Sequence, residues 1–125
     1  MIKPEDLRIG NWVMYDNRYF QIDSIAEPFP TLRTIEFGIG VVDWNNMNPI
    51  PLTERILLDS KFEHHKQIDK CYIITNDIVI SFADDKIRVI CGNFICQVVV
   101  TEIKSIHEFQ NTIYSLTKTE LIINL

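Results

Sequence analysis

Apolar and polar positions alternate in two parts of the chain: roughly the first third, and residues 71–100. In two shorter segments, 53–62 and 106–116, apolar residues return every three to four positions. In "NWVMYDNRYFQID" the cluster Asp16-Asn17-Arg18 divides two runs rich in aromatic and branched residues, which predicts a β-hairpin. A two-residue turn at Asn17-Arg18 pairs Val13 with Ile22 and Tyr15 with Phe20 on one face. Trp12, Met14 and Gln21 then share the other. Two prolines in "EPFPT" remove ladder donors and break the pattern. "RTIEFGIGVV" resumes it, as one bent strand or two short ones with Gly38 and Gly40 at bends or bulges. "NNMNPIP" reads as a loop. "PLTERILLDSKFE" predicts a short helix: Thr53 suits the N-cap, Glu54 complements the dipole, and Leu52 can staple onto Leu57. Ile56, Leu57 and Phe62 form its buried side.

From Cys71 to Val100 the pattern predicts four strands joined by short turns at Asn76-Asp77, Asp84-Asp85 and Gly92-Asn93. Two-residue turns gather Cys71, Ile73, Thr75, Ile78, Ile80, Phe82, Ile87, Val89, Cys91, Phe94, Cys96, Val98 and Val100 on one face. Agreement between turn chemistry and facing is what a meander requires. The opposite face carries Tyr72, Ile74, Val79, Ser81, Arg88, Ile90, Ile95, Gln97 and Val99. It is too apolar for water, so either the N-terminal lobe covers part of it or it is an interaction surface.

Ser105-Ile106-His107-Glu108 has the S-x-x-E spacing of a capping box. Ile106, Phe109, Ile113 and Leu116 follow at helical spacing, a stripe expected to pack on the meander's main face. "TKT" ends the helix without glycine, and "ELIINL" reads as a final strand. The expected fold is therefore α+β: a four-stranded antiparallel meander packed by a C-terminal helix, with a small N-terminal β lobe and a short linking helix. One domain spans 1–125, with the lobe at 1–52 and the remaining elements at 53–125.

Composition adds little to this picture. With 46% hydrophobic and 23% charged residues the chain is of ordinary globular type. A net charge of −5 disfavours nucleic acid, whose phosphates want a basic surface, and suits a basic partner. No apolar run approaches a membrane span, and no hydrophobic stretch follows "MIKPEDLRIG" as a signal peptide needs. Three cysteines fit a reducing compartment. The expected location is cytoplasmic, without a membrane partner.

Three blocks carry a resemblance: "LRIGNWV" (7–13), "NPIPLTERILLDSKFE" (48–63) and "IKSIHEFQNTIYSLTKTELII" (103–123). Together they cover a little over a third of the chain. They resemble a group of small uncharacterised proteins encoded in Bacteroidetes genomes, their prophages and other mobile elements. Members usually place glycine soon after the Leu-Thr of the last block, where this chain has Lys118. The resemblance implies a phage or mobile-element context; it brings no activity, cofactor or catalytic residue with it.

Candidate chemistry is sparse. Glu63-His64-His65 offers metal-ligand types, but adjacent histidines diverge and no third ligand has usable spacing, so a solvated helix terminus is the plainer reading. Cys71, Cys91 and Cys96 fall on the core side and read as structural thiols. Asp77, Asp84 and Asp85 sit at turn tips, where turn chemistry explains them. Trp12, Tyr15, Arg18, Tyr19 and Arg33, with Arg8 nearby, interleave aromatic and cationic groups and could stack bases; "LRIGNWV" is also like the opening of SH3-like barrels. On the last helix His107, Asn111 and Tyr114 line one flank, with Gln110 between it and the core. That flank is either a polar border serving nearby backbone groups or a recognition surface.

No catalytic, metal or cofactor motif emerges, and no enzyme activity is expected. The leading expectation is a binding protein of phage or mobile-element type. It would act on a host protein, in one concrete form as an inhibitor of a defence nuclease in the manner of anti-CRISPR proteins. Its candidate surface is His107, Asn111, Tyr114, Tyr72, Ile74, Ile90 and Ile95. The alternatives are a small-barrel nucleic-acid-binding protein and a protein that sequesters a small ligand or nucleotide.

Overall fold

Asp16 and Asn17, both at positive φ (51° and 60°), make the first tight turn, between β1 (Trp12–Tyr15) and β2 (Arg18–Ser24). Left-handed backbone at both central positions favours the small polar pair Asp-Asn over a pair ending in arginine. The turn therefore lies one residue earlier than expected, and Tyr15 pairs with Arg18 and Val13 with Phe20. Each pairing moves by two positions, so the faces survive: Val13 and Ile22 are fully buried, with Tyr15 and Phe20 packed against them.

The computed structural model describes residues 2–25, 30–34, 38–92 and 97–125. It is a mixed α+β chain with two antiparallel sheets and a C-terminal helix, divided into two units.

The first unit comprises Met1–Pro51 and Ser105–Leu121. Its sheet has the order β4-β3-β2-β1-β5, with β3 at Thr31–Thr34, β4 at Gly38–Val41 and β5 at Met47–Asn48. "RTIEFGIGVV" thus supplies two short strands, and the first begins before it, at Thr31. The expected loop at "NNMNPIP" instead contains the end of a 3-10 turn (Trp44–Asn46) and β5, which pairs with β1. Asp43 caps that turn through the Asn45 amide at 3.0 Å. Met47 is drawn into a core of Ile2, Leu7, Val13, Ile22 and Leu32, which explains why this polar stretch is ordered as a strand.

The second unit comprises Leu52–Lys104 and Ile122–Leu125. Helix α1 (Glu54–Asp59) is capped as expected, with Thr53 Oγ1 accepting from the Ile56 amide at 3.3 Å and Leu57 fully buried. The chain then turns at Lys61 (φ 69°) into β6 (Glu63–His64), so these residues are an edge strand and not the helix terminus expected of them. The sheet order is β10-β9-β8-β7-β6, with β7 at Cys71–Thr75, β8 at Ile78–Ser81, β9 at Ile87–Gly92 and β10 at Gln97–Ile103.

Between β8 and β9 the register is the expected one, with Asp84 and Asp85 both near φ 58° in the turn. Two bulges alter the rest. One falls between Ile73 and Thr75 and turns Tyr72 onto the face of Ile80 while Cys71 moves to the other. The second, between Val99 and Thr101, brings Ile103 opposite Ile87 and into the core. The core face is therefore Tyr72, Ile78, Ile80, Val89 and Ile103, all 5% exposed or less. Gly92 ends β9 and pairs with Gln97, so it does not open the two-residue turn expected at Gly92-Asn93; Asn93 lies outside the described residues. "ELIINL" forms no strand. Ile123 is buried, and Asn124 is held through its amide to Ser60 Oγ at 2.9 Å and its side chain to Asp59 O at 3.2 Å.

Helix α2 (Ile106–Thr117) buries Ile106, Phe109 and Ile113 as its spacing predicts. Leu116 stays 42% exposed. The helix belongs to the first unit and packs with β1, a correction to the expectation that it backs the 71–100 strands.

Candidate functional site

The flank of α2 is where sequence reasoning concentrated, and the structure shows what its side chains hold. Gln110 Oε1 accepts from the Trp12 amide at 2.9 Å, and its Nε2 donates to Gly10 O at 3.2 Å. Asn11 donates to Asn111 Oδ1 at 2.8 Å and to Gln110 Oε1 at 3.4 Å, and accepts from the Arg8 amide at 2.7 Å. Asn111 Nδ2 donates to Asp6 O at 2.9 Å. Arg8 completes the network: Nε donates to Asn111 Oδ1 at 2.9 Å, Nη1 pairs with Glu120, and its guanidinium lies 4.0 Å from the centre of the Tyr114 ring. The first and last blocks of the resemblance, "LRIGNWV" and the helix with "HEFQN", are thus bonded to each other. Asn111 and Tyr114 are half-buried and committed to this network.

His107 is 6% exposed. Ser105 occupies the N-cap, but its hydroxyl makes no cap bond to the backbone. Instead Oγ donates to Glu108 Oε1 at 2.9 Å and meets His107 Nδ1 at 3.0 Å, so the hydroxyl half of the expected capping box gives way to a side-chain triad. With the hydroxyl proton on Glu108, Nδ1–H of the imidazole donates to Oγ. A nucleophilic serine needs the opposite, an imidazole that accepts the hydroxyl proton, and Ser105 is only 2% exposed. Burial holds the His107 pKa below its usual value, against the pull of Glu108 and Asp6.

The other proposed contact residues separate. Tyr72 leaves the candidate surface: it is 3% exposed, its hydroxyl donates to Glu54 Oε1 at 3.0 Å, and it packs edge-on to His64 and Phe82. Burial first, then Glu54, pushes its pKa up to about 12. The Ile73–Thr75 bulge is the cause, because a one-residue shift exchanges faces. Ile74 and Ile90 are half-buried, and Ile95 lies outside the described residues. The open apolar surface of this unit is instead β10, at the sheet edge, where Val98, Val99 and Val100 are 59%, 53% and 42% exposed. Sequence reasoning put Val98 and Val100 in the core. The missed signal was three consecutive valines, since unbroken branched residues abandon the alternation of a one-sided strand.

On the first sheet, Trp12, Gln21 and Arg33 stand opposite one another on three adjacent strands, with Met14 opposite Tyr19 on the same face. Arg33 pairs with Asp23 at 3.7 Å. Tyr15 faces the core, edge-on to Phe20, and Arg18 is exposed on that same side of the hairpin, so the five proposed nucleic-acid contacts do not form one surface. Beside Met14 an open cleft of about 340 Å³ is lined by Tyr15, Asp16, Asn17, Asn46 and Asn48.

The remaining candidates stay apart. His64 packs edge-on to Tyr72, while His65 Nδ1 accepts from the Gln67 and Ile68 amides, each at 3.1 Å. Among the described residues no three His, Cys, Asp or Glu side chains are grouped to hold a metal ion. Cys71 is buried, which raises its pKa, and it faces away from Cys91 across the sheet; Cys96 is outside the described residues. No helix among the described residues is long and apolar enough to cross a membrane. Compared with family models, curated proteins and solved structures, the chain finds no match.

Proposed function

We propose that the chain is a non-enzymatic binding protein that engages a host protein through the open edge of its second sheet. Strand β10 carries the reading. It is long for an edge strand, uncharged from Gln97 to Thr101, and exposes three adjacent valines. Lysine and proline, which block many edges, are absent from this stretch, and its bulge between Val99 and Thr101 leaves residues 97–99 as the regular part of the edge. Such an edge recruits an extended segment by strand addition: backbone groups supply affinity and branched side chains supply fit. The net charge of −5 favours a partner with basic residues flanking that segment. The resemblance to mobile-element proteins supports a host target, with inhibition of a defence nuclease as its concrete form.

Val99→Lys tests the reading, because an edge lysine blocks strand addition and Val99 is too exposed for the change to unfold the sheet. Host protein retained by the tagged wild-type chain is expected to be lost by Val99→Lys at an unchanged melting temperature. The β10 amides are expected to gain hydrogen-exchange protection in the complex. Equal retention by both forms, or no specific partner in repeated captures, overturns the reading.

One observation favours a second reading. Trp12, Gln21 and Arg33 cross three strands of a sheet whose order, with a 3-10 turn before the short last strand, supports an SH3-like small barrel. Such a face can stack single-stranded bases. Oligonucleotide binding that weakens steeply with salt and with Trp12→Ala supports it; no binding at low salt rules it out.

A further inference from the structure

The side-chain amides of the first unit fall into two groups. Those of Asn11, Gln110 and Asn111 have each amide nitrogen and oxygen engaged inside the fold. Around the Met14 cleft the opposite holds. Among the described residues the side chains of Asp16, Asn17 and Asn46 have no hydrogen-bond partner, and Asn48 makes one long bond, to Asn46 O at 3.4 Å. The strand pairing and the turn bring them together: Asn48 lies opposite Met14, and the Asp16-Asn17 turn closes the hairpin next to it. The turn itself asks for less. Glycine suits left-handed backbone better than asparagine does, so Asn17 keeps a side chain there at some conformational cost.

We infer that this cleft binds a neutral, hydroxyl-rich small molecule, with a hexose or short neutral oligosaccharide as the fitting class. Each asparagine offers both donor and acceptor, as paired sugar hydroxyls require, and the Asp16 carboxylate accepts only. No lysine or arginine lines the cleft, so phosphate has nothing to pair with and meets a carboxylate instead. Met14 supplies an apolar edge for the C–H face of a sugar ring, on the face of the hairpin opposite the core. The cleft is open, with a volume of about 340 Å³, and its polar liners Asp16, Asn17, Asn46 and Asn48 are solvent-exposed, so a ligand lies along the surface. The inference is independent of the β10 reading.

The test follows side-chain amide resonances of the full chain by nitrogen-edited NMR during titration with glucose, N-acetylglucosamine, maltose and diacetylchitobiose. At least one of these sugars is expected to shift the Asn17, Asn46 and Asn48 amides along a single saturating curve, with glucose 6-phosphate about tenfold weaker than glucose. Asn17→Gly creates Asp-Gly, a better turn pair, so it keeps the hairpin while removing one amide. It is expected to weaken the best sugar about tenfold at equal or higher melting temperature. Absence of shifts with all four sugars overturns the inference. So do equal affinity in Asn17→Gly, stronger binding of the sugar phosphate, or an oligonucleotide that moves the same amides more strongly.

Discussion

Asn11 and Asn111 stand exactly one hundred positions apart in sequence and 2.8 Å apart in space, where each amide completes the other's hydrogen bonding. Asn111 also receives Arg8 Nε and reaches Asp6 O, so removing it takes a partner from three groups in the segment before β1. Asn111→Ala is expected to cost about 2 kcal/mol in urea denaturation, chiefly the desolvation of the partners left behind. Asn11→Ala is expected to cost about as much. The double variant is expected to lose less than the two costs combined, by at least about 0.5 kcal/mol, because both act on one network. Strict additivity contradicts that picture. At this scale the sequence was half legible. The residues were visible as a polar flank beside an apolar stripe, but their partners were not, since spacing within a helix says nothing about a loop a hundred residues away.

Elements were legible wherever local chemistry decides them. Thr53 before an apolar run marks the start of α1, and Asp84-Asp85 marks a turn. The errors came from a turn whose position depends on which pair tolerates left-handed backbone, from bulges that no residue type announces, and from the β9–β10 connection, where Cys91 pairs with Val98 and not four residues earlier. The first bulge moved Tyr72 inward, while the valines of β10 stay outside because that strand is the sheet edge. The end of α2 shows an element completed against preference. Lys118 adopts φ 58° and donates its amide to Tyr114 O at 2.8 Å, the closing geometry that glycine usually provides. Lys118→Gly is expected to stabilise the chain by about 0.5–1 kcal/mol, read as a higher urea midpoint at constant slope. A lower midpoint shows that the Lys118 contact with the Tyr114 ring, 5.7 Å away, outweighs the backbone relief.

For the whole molecule, His107 links folding to pH. Its folded pKa is depressed by burial relative to an unfolded value near 6.5, so its neutral form stabilises the fold. That contribution is complete above about pH 6.5 and is lost as pH falls from there through the lower folded value, where the unfolded chain binds a proton first. Melting temperatures between pH 7.5 and 5 are expected to fall more steeply for the wild type than for His107→Asn; parallel profiles exclude His107 as the cause. The division into units has a further effect, on synthesis. Gly10–Trp12 leave the ribosome long before Gln110, which lies 98 residues beyond Trp12. The whole of 52–104 is translated in between. Closing so long a loop is cheap at equilibrium, because its entropy grows only with the logarithm of length. It is slow in the cell: at roughly 5–20 residues per second the nascent Gly10–Trp12 segment waits about 5–20 s for Gln110, with those backbone groups hydrated. A transcript cut between Pro51 and Ser105 therefore encodes every strand of the first sheet and still no finished first unit.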